Sequence, residues 1–209
     1  MHYYYTVNTQ FKVITVLNYQ TFITQQATAS SQRGLTLLEM MMGVSIIGLT
    51  MTFVVPSAHS IFTQNRIISE INRTSSLLQY ARLHALESKQ TISVCPASNF
   101  STCSNDWSAS KIVFADINDN NIRESNEPLL LSSEVSELQN VVSGPENAIR
   151  FFFNGSSATP STIQICDANE AAQFSRALFV SLQGRVTMSK DSNGDGIYET
   201  NSGTALTCE

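Results

Sequence analysis

Hydrophobic and polar positions divide this chain into three stretches with different periods. Leu35 to Val55 reads LTLLEMMMGVSIIGLTMTFVV, an apolar run whose single ionisable side chain is Glu39. As a helix it is long enough to cross a hydrocarbon core of about 30 Å. Beyond Pro56 the apolar residues Ile61, Ile68, Ile71, Leu78, Ala81 and Ala85 follow spacings of seven, three, seven, three and four, the signature of one helix face. Arg66, Glu70, Arg73, Arg82, Glu87 and Lys89 fall mostly on the other faces. The pattern predicts one helix from Leu35 to about Lys89, roughly 80 Å at 1.5 Å per residue, apolar in its first part and amphipathic in its second.

After Gln90 the period changes. Short β-rich runs at Thr91–Cys95, Lys111–Ala115, Leu129–Ser132, Ala148–Phe153, Thr162–Cys166, Ala177–Leu182 and Arg185–Met188 are separated by Asn, Asp, Gly, Pro and Ser clusters. They predict an antiparallel head. Phe151, Phe152 and Phe153 cannot all face one side of a strand, so either both faces are covered or one ring lies at an interface; a core position is expected.

Glu39 needs a reason. An acid near the end of a membrane span costs about 2 to 3 kcal/mol on insertion scales, which makes a functional partner the default hypothesis. An acid snorkelling at the membrane edge is the plain alternative. The context favours a partner: Gly34, an apolar residue, and Glu39 as the fifth residue after the glycine. This resembles the class III signal of type IV prepilins and pseudopilins. The resemblance implies that a prepilin peptidase cuts between Gly34 and Leu35, that the new amino terminus on Leu35 is methylated, and that Glu39 pairs with the terminal amine of a neighbouring subunit during assembly. Pro56 stands where many pilins carry a helix-kinking proline, consistent with its missing N–H. Leu35 replaces the more usual Phe. The leader, residues 1–34, is long, and its tyrosine- and threonine-rich beginning, MHYYYTVNTQ, points to a true start further down at a non-Met codon. A secretory signal would place its small residues after an apolar core, and none precedes Ala27 to Ser31. A plain membrane anchor is the stronger rival and predicts no processing at Gly34.

Charge and cysteines then narrow the compartment. The chain has 209 residues and a net charge of −5, and of its 12 basic residues Lys12 and Arg33 lie in the leader with none of the 17 acids. The remainder is more acidic still, which argues against a whole-domain basic footprint for nucleic acid. Cys95, Cys103, Cys166 and Cys208 all lie beyond the apolar segment, as expected for disulfides outside the cytoplasm; four cysteines permit three pairings. Cys95–Cys103 and Cys166–Cys208 are favoured, the first closing a short loop and the second stapling the last residues to a strand. Zinc is the weaker reading, because there is no Cys-x-x-Cys pair and His84 is the last histidine.

Three fragments of the head carry a narrower resemblance. They are Cys95-Pro96 followed by Trp107 and Ile112-Val113-Phe114-Ala115-Asp116; the Asn/Asp-rich turn leading to Glu127-Pro128-Leu129-Leu130; and Phe152 to Gly155 before Ile163-Gln164-Ile165-Cys166 and Gly184-Arg185-Val186. In this order behind a class III signal they are similar to the GspH/FimT group of minor pseudopilins and minor pilins, which includes FimU-like subunits. The resemblance implies a pilin-like α+β fold, and a structural part that primes or connects the tip of a type IV pilus or a type II secretion pseudopilus. Some FimT-like relatives bind DNA through a Gly-Arg-x-Arg motif. Here Thr187 follows Gly184-Arg185-Val186, Lys190 is the nearby substitute, and Asp191, Asp195 and Glu199 oppose attraction to phosphate. The alternative is that Gly184 makes a turn and Arg185 begins a strand.

Asp116, Asn118, Asn120, Glu124 and Glu127 occupy positions 1, 3, 5, 9 and 12 of a calcium-loop frame, with Asn121 in place of its glycine. The same residues suit a turn whose side chains bond their own backbone, and the turn is the expectation. Asp191-Ser192-Asn193-Gly194-Asp195-Gly196 fits the opening of the frame better, with Glu199 able to contribute at the ninth place, but Ser202 stands at its twelfth. An Asp-Gly hairpin is the simpler account. No cofactor is otherwise expected. His2, His59 and His84 fall in the leader or helix, and Asn154-Gly155-Ser156-Ser157 has no marked base, so no enzyme is expected.

The reading is therefore a leader at 1–34, a stalk helix at 35–90 with its transmembrane part at 35–55, and a β-rich head at 91–209. It is a minor pilin of the bacterial inner membrane, single-pass, with its head in the periplasm before incorporation into a pilus. Its expected partners are the prepilin peptidase, other minor pilins, the major pilin and the pilus assembly platform. A type II secretion minor pseudopilin is the first alternative and a DNA-binding minor pilin the second.

Overall fold

The computed structural model describes residues 34–169 and 172–208, with backbone alone at Val55 and Pro56; the leader before Gly34 lies outside the described residues. The chain divides into two units, Met1–Ile46 and Ile47–Glu209. Among the described residues one α-helix, α1 (Leu37–Ser88), precedes the strands β1 (Ile92–Pro96), β2 (Lys111–Ala115), β3 (Leu129–Ser132), β4 (Asn140–Ser143), β5 (Ile149–Phe151), β6 (Ser161–Asp167), β7 (Arg176–Val180) and β8 (Val186–Met188). The backbone stays helical through Pro56, the expected kink, whose side chain is outside the described residues.

Two four-stranded sheets form, β3-β2-β1-β5 and β4-β6-β7-β8, antiparallel throughout. Strands β1, β2 and β7 are buried at every residue, because both of their faces are covered. On one side lies the main core, in which Ile67, Leu78 and Ala81 of α1 meet Val94, Phe151, Ile163 and Leu178. On the other side of the first sheet Cys95, Ile112 and Phe114 form a second cluster, and the chain's last residues lay Leu206 and Tyr198 over Ala177 and Phe179 of β7. Disulfides join Cys95 to Cys103 and Cys166 to Cys208.

Strand β4 is absent from the sequence expectation. Its burial alternates, and Val142 is its only buried apolar side chain, so four residues gave almost no periodic signal. The phenylalanine run does not lie wholly in the core. Phe151 closes β5 and is buried, whereas Phe153 falls in the following turn with 59% of its surface exposed.

The buried face of α1 includes Ile71, Leu78, Ala81 and Ala85, as apolar spacing selects, but departs from it towards the start of the amphipathic part. Ile61 and Ile68 are exposed, Ile67 and Leu77 are inside, and the polar Thr63, Glu70, Thr74 and Ser75 complete the buried stripe. Neighbours such as Ile67 and Ile68 differ by about 100° around a helix, and counting apolar residues alone cannot choose between them when polar ones share the inner face. Glu70, expected outside, is buried against β2. Its Oε1 accepts bonds from Lys111 Nζ at 3.1 Å and Ser136 Oγ at 2.9 Å, and its Oε2 meets Arg73. Burial pushes the Glu70 carboxyl upward, but Lys111, Ser136 and Arg73 together outweigh it and hold Glu70 below the ordinary glutamate value.

Two arginines of the helix tie it to the second sheet. Arg66 pairs with Asp167 of β6 and donates to Asn140 Oδ1 at 2.8 Å. Arg82 donates to the carbonyls of Gly155 at 3.0 Å and Gln183 at 2.9 Å. Between those turns Gly184 has φ +70°, and a Cβ there would stand 2.0 Å from the Gly155 carbonyl oxygen.

Removing one partner of the buried pair leaves the other charged and unpaired. Glu70→Ala is expected to destabilise the head by about 3–5 kcal/mol, while Glu70→Met combined with Lys111→Met recovers most of that loss. The single tryptophan of the sequence, Trp107, is buried, so its fluorescence during denaturant unfolding of the detergent-solubilised chain reads both. Because Glu70 titrates lower when folded, its contribution is present above the unfolded value of about 4.3 and is lost as pH falls through the depressed folded value. That acid limb should be missing from Glu70→Gln. Gly184→Ala, strained by backbone and by contact, should cost more than about 2 kcal/mol in the same assay.

Candidate functional site

The start of α1 is built by a cap. Thr36 precedes the first helical residue, and its Oγ1 accepts the Glu39 N–H at 3.2 Å. Thr36-Leu37-Leu38-Glu39 is thus a Thr-x-x-Glu sequence at a helix N-terminus, the spacing of a capping box, with Glu39 at its third helical position. The macrodipole favours a negative side chain there. Glu39 is exposed, and so is Leu35, at 68%. Thr36 was not singled out from the sequence, although the same spacing marks it.

Around this acid the helix is bare. Leu37, Met41, Val44, Ile47, Leu49, Phe53 and Val54 are all exposed, and the membrane-length window has mean hydropathy 1.8 with none of it buried. It is the one described helix long and apolar enough to cross a membrane. Apolar side chains on every face of a helix have no stable place in water, so lipid or neighbouring subunits must cover them. Among the described residues nothing lies within 4 Å of a Cβ built on Gly34. A cut after Gly34 would place an amine four residues before the Glu39 carboxylate. The arrangement can therefore present a carboxylate and an amine to low-dielectric surroundings, where opposite charges attract far more strongly than in water.

The first acidic loop, by contrast, spends its buried carboxylate oxygens internally, and only the neutral Asn121 Oδ1 is left buried without a donor. Asp116 is buried and accepts Ser93 Oγ at 2.7 Å and the N–H groups of Asn120 and Asn121 at 3.1 and 3.2 Å. Glu127 accepts the N–H groups of Ile117 at 2.8 Å and Glu124 at 3.1 Å. Asn118 and Asn120 turn their amides to Glu124. Asn121, in the glycine place of the frame, has φ +62°.

Arg185 and Lys190 flank β8 and are both exposed. Arg185 borders a cavity of about 720 Å³ lined also by Phe179, Gln183 and Thr187. The Lys190 carbonyl accepts the Glu199 N–H at 2.9 Å, which sets Lys190 beside acids. Gly184 makes the turn into β8, with its N–H on the Ser181 carbonyl at 2.8 Å.

Comparison with known proteins bears on both halves of the chain. The family model described as "Type II transport protein GspH" matches residues 70–184, more than half of the chain. The prokaryotic N-terminal methylation motif matches residues 29–55, which include Gly34, Leu35 and Glu39. Among solved structures the chain is similar to the type IV minor pilin FimU of Pseudomonas aeruginosa strain PAO1, at 20% identity over 60% of this chain and 90% of that one, with a TM-score of 0.50. It is also similar to the minor pseudopilin EpsH from the Type 2 Secretion System of Vibrio cholerae, at 11% identity over 59% of this chain and 95% of that one, with a TM-score of 0.44. No curated protein matches. The likeness to FimU shows the shared fold, a long N-terminal helix packed on an antiparallel head. With the family match covering the helix-to-head core and the methylation motif covering the capped helix start, the chain belongs to the GspH family, as a minor pilin or pseudopilin and a structural component, not an enzyme.

Proposed function

We propose that this chain is a prepilin of the bacterial inner membrane, cut between Gly34 and Leu35 by the prepilin peptidase, methylated on Leu35, and incorporated as a minor subunit that primes or connects the tip of a type IV pilus. The observation that carries the reading is the bare apolar first part of α1, Leu37 to Val54, whose one acid, Glu39, lies in the first turn. The span sits in the membrane before assembly, with the disulfide-bonded head on the periplasmic side. Glu39 of an incoming subunit is drawn to the Leu35 amine of its neighbour, and both charges are neutralised where neither can be hydrated. Extraction from lipid into a filament then exchanges one apolar environment for another. The pilus is the machine of FimU, whose fold the chain shares.

The family's description favours a second reading, in which the same chemistry serves a minor pseudopilin of type II secretion. Loss of the chain distinguishes the two: a pilus subunit removes surface filaments, and a pseudopilin removes secretion of folded exoproteins.

Two measurements test the shared step. The amino-terminal mass should show a methylated Leu35 in cells with the peptidase and an intact leader in cells without it; an intact leader in both returns the helix to a plain anchor. Glu39→Ala should be processed normally, yet its amount in the sheared filament or pseudopilus fraction should fall at least about tenfold, as expected when one member of a desolvated pair is lost. Incorporation equal to wild type would sink the pairing role.

A further inference from the structure

The segment after β8 gathers three carboxylates that assembly through the helix does not use. Asp191, Asp195 and Glu199 each place a carboxylate oxygen so that all lie within 4.8 Å of one another. Glycines at Gly194 (φ +79°) and Gly196 (φ +85°) let the loop turn back around Asp191. Asp191 accepts the Gly194 N–H at 2.7 Å and the Gly196 N–H at 3.0 Å. Asn193 Oδ1 accepts the Asp195 N–H at 3.0 Å, and Asp195 Oδ1 accepts the Ile197 N–H at 2.7 Å. A self-bonded turn accounts for these contacts.

It does not account for Glu199. This residue is 5% exposed, and its backbone is held in bridges to Lys190 and Ala205. Its Oε2 accepts the Ser192 N–H at 2.7 Å, but its Oε1 is buried with no donor. A buried carboxylate oxygen without a partner is costly, and two more acids beside it add like-charge repulsion. Among the described residues no ion pair reaches any of the three. Arg176 of β7 lies over the Tyr198 ring, 3.3 Å from its centroid, and donates to the carbonyl oxygens of Gln173 and Ser175; its charge reaches Asp191 only at longer range and makes no ion pair with it.

We propose that Asp191, Asp195 and Glu199 bind a calcium ion, with the buried Glu199 as its anchoring ligand. The donors are all oxygen, which suits a hard cation. Calcium takes about six to eight oxygens in flexible geometry, whereas magnesium demands a near-ideal octahedron and keeps several waters, so three carboxylates on an irregular turn suit the more tolerant ion. Asp191-Ser192-Asn193-Gly194-Asp195-Gly196 also supplies the opening order of a calcium loop, with Gly196 left-handed at its sixth place. Glu199 replaces the acid that a full loop would carry at the place of Ser202. The ion would tie this turn to the terminal segment that Cys166–Cys208 staples to β6.

The test uses the full chain in detergent, stripped with a chelator, and reads calcium calorimetry alongside thermal unfolding by Trp107 fluorescence. One ion per chain is expected, with Kd in the roughly 10⁻⁴–10⁻³ M range of extracellular modules. At a tenfold excess over Kd the melting temperature should rise by about 3–6 °C. Asp195→Asn, at an exposed position, should weaken binding by about tenfold or more while leaving the melting temperature in chelator unchanged or higher. Glu199→Gln should abolish binding. A wild type with no calcium-dependent rise, an Asp195→Asn chain that keeps the full rise, or magnesium acting as well as calcium would each overturn the assignment.

Discussion

Docking of the helix on the head depends on a charge placed where water cannot reach it. Glu70 lies on the inner face of α1, and Lys111, at 1% side-chain exposure, reaches it from β2. Desolvation of both ions takes back much of their attraction, so the pair is weak evidence for added stability. Its effect is on choice. An apolar helix face could slide or rotate by a residue on an apolar sheet with modest loss, but a buried acid has few acceptable positions. Ser136 and Arg73 fill the remaining carboxylate sites and reinforce the one register that satisfies them all.

Around that fixed point the other contacts of the helix follow the same logic. Arg66 engages Asp167 and Asn140, on neighbouring strands of the second sheet, and Arg82 closes over the turns at Gly155 and Gln183. Burial acts to raise the Asp167 carboxyl, yet the Asn169 bonds and Arg66 hold it below its ordinary value, so its charge is kept. Two sheets that share no strand are thus referred to one helix. A head that must be presented in a defined orientation by a subunit of an assembly gains from such directional ties, because nonpolar packing alone specifies orientation poorly.

The legible parts of this chain were those in which one local rule dominated. The apolar run from Leu35 to Val55 could be read as helix because nothing in it competes with apolarity except Glu39, and the methylation motif matches over the same residues. Most strands could be read because runs such as Lys111–Ala115 are bounded by turn residues. What was not legible was tertiary. Glu70 reads as a surface residue until Lys111 is known to lie opposite, and Ile67 cannot be preferred to Ile68 without the sheet. Strand β4 is a strand because β6 pairs with it, from Asn140 opposite Asp167 to Ser143 opposite Gln164, and not because four residues have a strong preference of their own.

The two acid-rich loops show why composition reveals loop chemistry so poorly. Both carry Asp and Asn at alternating positions, and both use left-handed residues to turn back on themselves. In the first, Asp116 and Glu127 are buried, and each oxygen of both finds a donor from Ser93 or the loop's own backbone. Its buried carboxylates are therefore all engaged, and the oxygen it leaves without a donor is the neutral Asn121 Oδ1. In the second, the acids of the turn are satisfied, while Glu199 arrives from a segment fixed independently by bridges to Lys190 and Ala205 and leaves one oxygen over. The difference lies in where the last acid is anchored. An acid within the loop can adjust until its oxygens are used, but one held by a neighbouring segment cannot, and its unmet valence persists for a ligand to fill.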